Sequence, residues 1–193
     1  MDKQTSRIIS YIKGKKNCSI DNSYVLEILK RDTKNRYFKE LLEKEFKIIV
    51  KNRKFKEKVK EIRKELFKIC GVFQVKKQWK KKELLKKLKS CRDIEEIKEV
   101  SKYILKLHAS SRERLKEYKK IYRSIFKITK KAETIIELAS GLNPCSIILA
   151  NYKLNYYAYD ISKDDVIFLN NYFKIIRKYG INGRAFIKDI SKD

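Results

Sequence analysis

A glycine and two aspartates close three successive apolar runs in the last third of this chain. Ile135, Ile136 and Leu138 read as a buried strand that stops at a small-residue turn, Ala139-Ser140-Gly141. Asn143-Pro144 follows, with proline where a helix can begin. A strand that runs through a glycine turn into a helix lets a ligand approach bare backbone. The helix N-terminus then adds unpaired N–H groups. Asn155-Tyr-Tyr-Ala-Tyr-Asp160 reads as a second strand ending in a carboxylate. Asp160 lies about 20 residues after Gly141, the spacing at which doubly wound folds place the acid that bonds ribose hydroxyls. Arg184-Ala-Phe-Ile-Lys-Asp189 reads as a third strand, again ending in an acid.

The turn lacks the full G-x-G-x-x-G pattern, which argues against a dinucleotide. Acids that close strands two and three suit a nucleoside without a pyrophosphate, and S-adenosylmethionine (SAM) has that form. Ordinary helix-capping or turn acids leave the same trace. The one histidine, His108, sits in HASSRERL (108–115). Its bland reading is a helix boundary with a capping serine, Ser110 or Ser111, and two solvated arginines, Arg112 and Arg114.

The elements that must position these residues follow from periodicity. One proline and five glycines in 193 residues leave room for long helices. Two short helices are expected at Arg7–Lys16 and Ser23–Lys30, the second capped by Asp21, Asn22 or Ser23. Phe55, Val59, Ile62, Leu66 and Ile69 form a helical stripe that Gly71 ends. Lys76–Lys89 reads as a basic helix with Leu84, Leu85 and Leu88 on its apolar side. Asp93 caps a helix carrying Ile94, Ile97, Ser101 and Ile104. A further helix carries Leu115, Tyr118, Tyr122 and Ile125. The pattern then switches to β–α, with a boundary near Lys131. Val166, Leu169, Phe173 and Ile176 mark the helix between strands two and three.

Charge divides the chain the same way. Of 50 basic and 24 acidic residues, 42 and 17 lie in residues 1–132, leaving 8 and 7 in residues 133–193. Such an excess repels itself, and a polyanion that releases counterions is the simplest partner. No basic stretch has the bulky apolar face of a membrane-surface helix, so nucleic acid is favoured over membrane. The densest window, residues 47–92, holds 19 basic and 4 acidic residues. Within it, Lys80, Lys81, Lys82, Lys86 and Lys87 are the candidate RNA contacts. No apolar signal or spanning run occurs, which reads as a soluble, cytoplasmic protein. Cys18, Cys70, Cys91 and Cys145 are far apart, so neither a metal site nor a disulfide framework is expected.

Together these segments resemble the aminoglycoside-resistance 16S rRNA methyltransferases that modify guanine N7 in the decoding site, at guanine 1405. LHASSRERL (107–115) and ELASGLNP (137–144) are similar to that family's motifs, and YAYDI (157–161) and KDI (188–190) follow in place. KICGVF (68–73) and the stretch 9–29 resemble its N-terminal segments. The resemblance implies a helical N-terminal domain, residues 1–131, that docks on the small ribosomal subunit. It implies a Rossmann-like SAM-binding domain from residue 132 to 193 that holds the first three strands only. Arg114 would contact the methionine carboxylate of SAM. Gly141 and its neighbour Asn143 would let the cofactor pass over strand one. Asp160 would hold the ribose hydroxyls and Asp189 the adenine amino group.

Guanine N7 carries a lone pair and no proton, and the sulfonium methyl is already activated. Such a reaction asks for alignment rather than for a general base or a metal. No residue is therefore assigned a catalytic role beyond positioning. Read against the family, the chain lacks strands four to seven, and strand one becomes an open edge. The expectation is an incomplete or split enzyme that works with a C-terminal partner fragment or self-associates. The alternative is a non-catalytic RNA-binding remnant.

Overall fold

The computed structural model describes residues 2–14, 20–31, 36–68, 78–130 and 132–190. Cys18, Cys70, Ile69, Gly71, residues 69–73 of the KICGVF segment, Lys76, Lys77 and Lys131 lie outside them. The chain divides into two compact units, Met1–Val72 and Phe73–Asp193. The boundary expected near Lys131 falls inside the second unit. The physical reason is that the helices after residue 77 bury their apolar faces against the sheet domain.

The first unit is helical: α1 (Lys3–Lys13), α2 (Asn22–Arg31), α3 (Arg36–Leu42), α4 (Phe46–Lys51) and α5 (Arg53–Leu66). Asp2 caps α1 by accepting the Thr5 N–H at 2.8 Å, and Asn52 caps α5 by accepting that of Phe55 at 3.1 Å. The stripe Phe55, Val59, Ile62 and Leu66 is buried as its spacing requires. Arg63 of α5 donates to the carbonyls of Tyr11 and Ile12 at 2.7 and 2.9 Å, satisfying the open end of α1.

The second unit contains α6 (Gln78–Ser90), α7 (Ile94–Leu105), α8 (Ala109–Glu113), α9 (Tyr118–Ile128), β1 (Thr134–Leu138), β2 (Leu154–Asp160), α10 (Lys163–Ile176) and β3 (Ile181–Ile187). The strands form a parallel sheet in the order β1-β2-β3, which leaves β1 at an edge. One face of the sheet is covered by α10, and its core continues through the 3₁₀ helix Asn143–Ala150 to α7 and α9. The other face is bare: Ile136, Leu138 and Tyr157 are 66, 58 and 37% exposed.

The helix expected at Pro144 is present as a 3₁₀ helix, with Pro144 to Leu149 buried all round. Two local expectations need correction. The helix expected from Ser110 or Ser111 is broken into α8 and α9, with His108 rather than a serine at the head of α8. Ser111 is itself buried, and Phe126 rather than Ile125 joins Tyr118 and Tyr122 in the core. Strand three ends at Ile187, so Asp189 lies two residues beyond it.

Gly183 on β3 faces the ring of Phe173 on α10, and a Cβ there would sit 1.9 Å from the ring. Gly183→Ala should therefore destabilise the chain by about 1–3 kcal/mol, and Phe173→Leu should recover part of that loss. Urea denaturation of both single variants and the double variant measures it; additive losses would contradict the contact.

Candidate functional site

Parallel pairing brings the C-terminal ends of the strands to one side, where open α/β sheets hold ligands. Leu138 pairs with Tyr159, and Asp160 pairs with Ile187, so Gly141, Asp160 and Asp189 follow or close neighbouring strand ends. Asp160 organises this edge. Its Oδ2 accepts the Gly141 N–H at 2.7 Å, and its Oδ1 accepts the Ser162 N–H at 2.7 Å. The Asp160 carbonyl accepts the Lys188 N–H at 3.0 Å, which fixes the chain just before Asp189. Ser162 caps α10 through the Asp165 N–H. Burial pushes the Asp160 carboxyl above its usual value, outweighing the two backbone N–H groups that favour its charge.

Beside this edge is a buried polar network that sequence reasoning did not find. Glu137 of β1 accepts from the Asn143 amide and from Tyr156 Oη, the latter at 2.6 Å. Tyr118 Oη donates to Asn143 Oδ1 at 2.6 Å. Burial raises the Glu137 carboxyl above its usual value; the Tyr156 and Asn143 bonds and the charge of Arg114 oppose that rise. An acid inside the apolar run Ile135 to Leu138 was the available signal. Asn143 thus commits both ends of its side chain to bracing the turn. Arg114 is exposed and donates one bond from Nε to the Ser110 carbonyl at 3.0 Å.

His108 reaches the same turn from the other side. It is 6% exposed, and its Nε2 lies 3.7 Å from Asp165 Oδ1 without a hydrogen-bond partner. Lys81 Nζ binds the same Asp165 oxygen. The ring presses on Gly141, whose φ is +51°; a Cβ there would meet Nδ1 at 2.8 Å. Gly141 is therefore required by its backbone angle and by the imidazole above it. Burial lowers the His108 pKa, against the opposing pull of Asp165 and Asp160; Lys81 adds to the lowering.

Among the lysines of the expected RNA-facing set, Lys81 is turned inward. Its side chain is 13% exposed and turned onto a carboxylate that is 1% exposed. Lys82, Lys86 and Lys87 are exposed, and Lys80 is half-buried. Lys87 lies over the exposed ring of Tyr103, 5.7 Å from its centroid. An open groove beside Arg114, lined by Glu117, Lys120, Ile121 and Ile125 among others, does not include the strand-end acids. Among the described residues no group of three or more metal-ligating side chains occurs, and no helix is long and apolar enough to cross a membrane.

Residues 37–191 match the ribosomal RNA methyltransferase (FmrO) family. The match spans well over half of the chain, and the chain belongs to that family. Its fold is shared with solved structures of rRNA methyltransferases. The 16S rRNA methyltransferase RmtF in complex with S-adenosyl-L-homocysteine aligns over 100% of this chain at 23% identity and a TM-score of 0.66. The 16S rRNA methylase RmtB aligns over 97% at 21% identity and 0.65. An rRNA methylase from Escherichia coli aligns over 97% at 20% identity and 0.64. The chain spans 65% of the length of each. No curated protein sequence matches it.

Because the folded pKa of His108 lies below the ordinary 6.5, the unfolded chain takes up that proton first. Its contribution to stability is present above that value and is lost as pH falls below it. His108→Gln should flatten this part of the slope in urea denaturation between about pH 5 and 8. An identical slope in both proteins would contradict a buried neutral imidazole.

Proposed function

We propose that this chain binds SAM at the C-terminal ends of β1, β2 and β3. In catalytically complete form, it directs methylation of guanine N7 in the decoding site of 16S rRNA, conferring aminoglycoside resistance. The observation that carries this reading is the Asp160 carboxylate held against the Gly141 turn at the shared strand end. The residues fit such a group. Ser140 Oγ is buried beside Gly141 without a hydrogen-bond partner, and Asp160 is incompletely buried. A carboxylate has about four lone-pair sites, so two N–H bonds leave room for hydroxyl donors.

On this reading Asp160 takes the ribose hydroxyls, Asp189 the adenine amino group and Arg114 the methionine carboxylate. When bound, SAM supplies a methyl group already activated by a sulfonium. The chain's task is then to orient the cofactor and dock the RNA, with the target base unstacked to reach it. Lys82, Lys86 and Lys87, with Lys80 at their margin, would meet backbone phosphates of the small ribosomal subunit, a cytoplasmic partner.

A parallel sheet is normally covered on both faces, and an open apolar edge invites pairing. The bare face around Ile136 and Leu138 supports a cover of further polypeptide, as a complementary fragment or a second copy. The same bare face favours a second reading, a non-catalytic RNA-binding remnant or one half of a split enzyme. Small subunits incubated with labelled SAM and this chain, with and without a supplied C-terminal half, separate these: transfer to guanine once the half is added supports the enzyme, whole or split, and RNA binding without transfer in either case supports the remnant.

Two measurements test the parts. Asp160→Ala should weaken S-adenosylhomocysteine binding by about 1.5–3 kcal/mol, and Gly141→Val should abolish it. Titration calorimetry decides, and parent-like binding by both folded variants would sink the cofactor reading. Lys82, Lys86 and Lys87 replaced together by Glu should reduce the slope of log K against log salt by up to about three. A filter-binding slope equal to the parent's would remove α6 from the RNA surface.

A further inference from the structure

We propose that His108 is a positioning residue of the cofactor turn: packed against the Lys81–Asp165 pair, its imidazole sets the backbone that presents the Gly141 N–H to Asp160. The cofactor part of this proposal rests on the SAM reading above; the positioning of the turn does not.

The geometry joins residues from five places in the second unit. Lys81 comes from α6, His108 from the head of α8, Asp165 from the first turn of α10, Gly141 from the turn after β1 and Asp160 from the end of β2. Lys81 Nζ and His108 Nε2 converge on one oxygen, Asp165 Oδ1. With Lys81 already neutralising that carboxylate, the imidazole has no need to be charged. It acts as a wedge. Its opposite edge lies against Gly141, so closely that a Cβ would be 2.8 Å from Nδ1. The Gly141 N–H in turn meets Asp160 Oδ2 at 2.7 Å. A chain of contacts therefore runs from a buried ion pair through a neutral ring to the hydrogen bond that orients Asp160.

Among the described residues, the charged groups that act on the ring are Asp165, Lys81 and Asp160. Protonating His108 would set it in competition with Lys81 for Asp165 Oδ1. The ring would be drawn toward α10 and away from Gly141, and the turn would loosen. A histidine that merely fills space in a core would not couple its protonation to the Gly141 amide.

Hydrogen exchange of the Gly141 amide in the unliganded chain tests this, followed by NMR with parent, His108→Ala and His108→Gln. His108→Ala should speed that exchange by about tenfold beyond any change in global stability. His108→Gln, neutral and of similar reach, should restore protection. The parent Gly141 amide shift should titrate with the His108 ring signals, and the Gln variant should show no such titration. Unchanged Gly141 protection in His108→Ala, or the same titration in His108→Gln, would overturn the proposal. Calorimetry with S-adenosylhomocysteine on the same samples separates the two readings. If the parent shows no binding but the exchange results hold, the cofactor reading fails and the positioning role stands. If the parent binds and His108→Ala binds equally well, the turn set by His108 does not serve the cofactor.

Discussion

Two backbone N–H groups converging on one carboxylate hold the strand-end site together. Asp160 ties the turn after β1 to the start of α10 through Gly141 and Ser162, and its own carbonyl receives the chain leaving β3. Charge-assisted bonds of this kind contribute on the order of 1.5–3 kcal/mol each, but here burial works against the charge they favour. The carboxylate is thus oriented at some expense to its ionisation. Everything placed near it depends on that balance. The left-handed Gly141 keeps its N–H aimed at Asp160, the His108 ring keeps Gly141 in place, and Glu137 braces the same turn through Asn143.

Elements written in local periodicity were legible. The α5 stripe, the Asp93 cap on α7, the second strand and the helix from Val166 to Ile176 each depend on neighbours a few residues away, and each was read from spacing. The glycine turn and Asp160 were legible for the same reason, since a strand-end acid at the ribose spacing is a sequence pattern. The partnership between them was not, because it is a contact between strand ends. Lys81 stands in a run of three lysines, and nothing in the run marks it as the one that folds inward. Its partner Asp165 lies 84 residues away. His108 looked like a helix boundary, and it is one. Its further contacts come from the turn after β1 and from α10, which no local window contains.

Charge and periodicity change together near residue 131, which marks where the secondary structure switches rather than where the packing divides. The helices α6 and α9 carry basic outer faces, yet their apolar sides, like that of α7, belong to the core that covers the sheet. A basic surface and the strand edge that carries Asp160 therefore share one compact unit. The other face of that sheet stays apolar and open, which a parallel sheet ordinarily does not tolerate without a cover.

The central claim is that the strand ends carrying Gly141, Asp160 and Asp189 hold the nucleoside of SAM. Backbone amide shifts recorded while S-adenosylhomocysteine is added to the whole chain test it most directly. The account predicts the largest changes at residues 139–143, 160–162 and 188–190, with Gly141 foremost because its N–H shares Asp160 with the ligand. Changes concentrated in the first unit, or along the outer groove of α8 and α9 with these three segments unmoved, would contradict it.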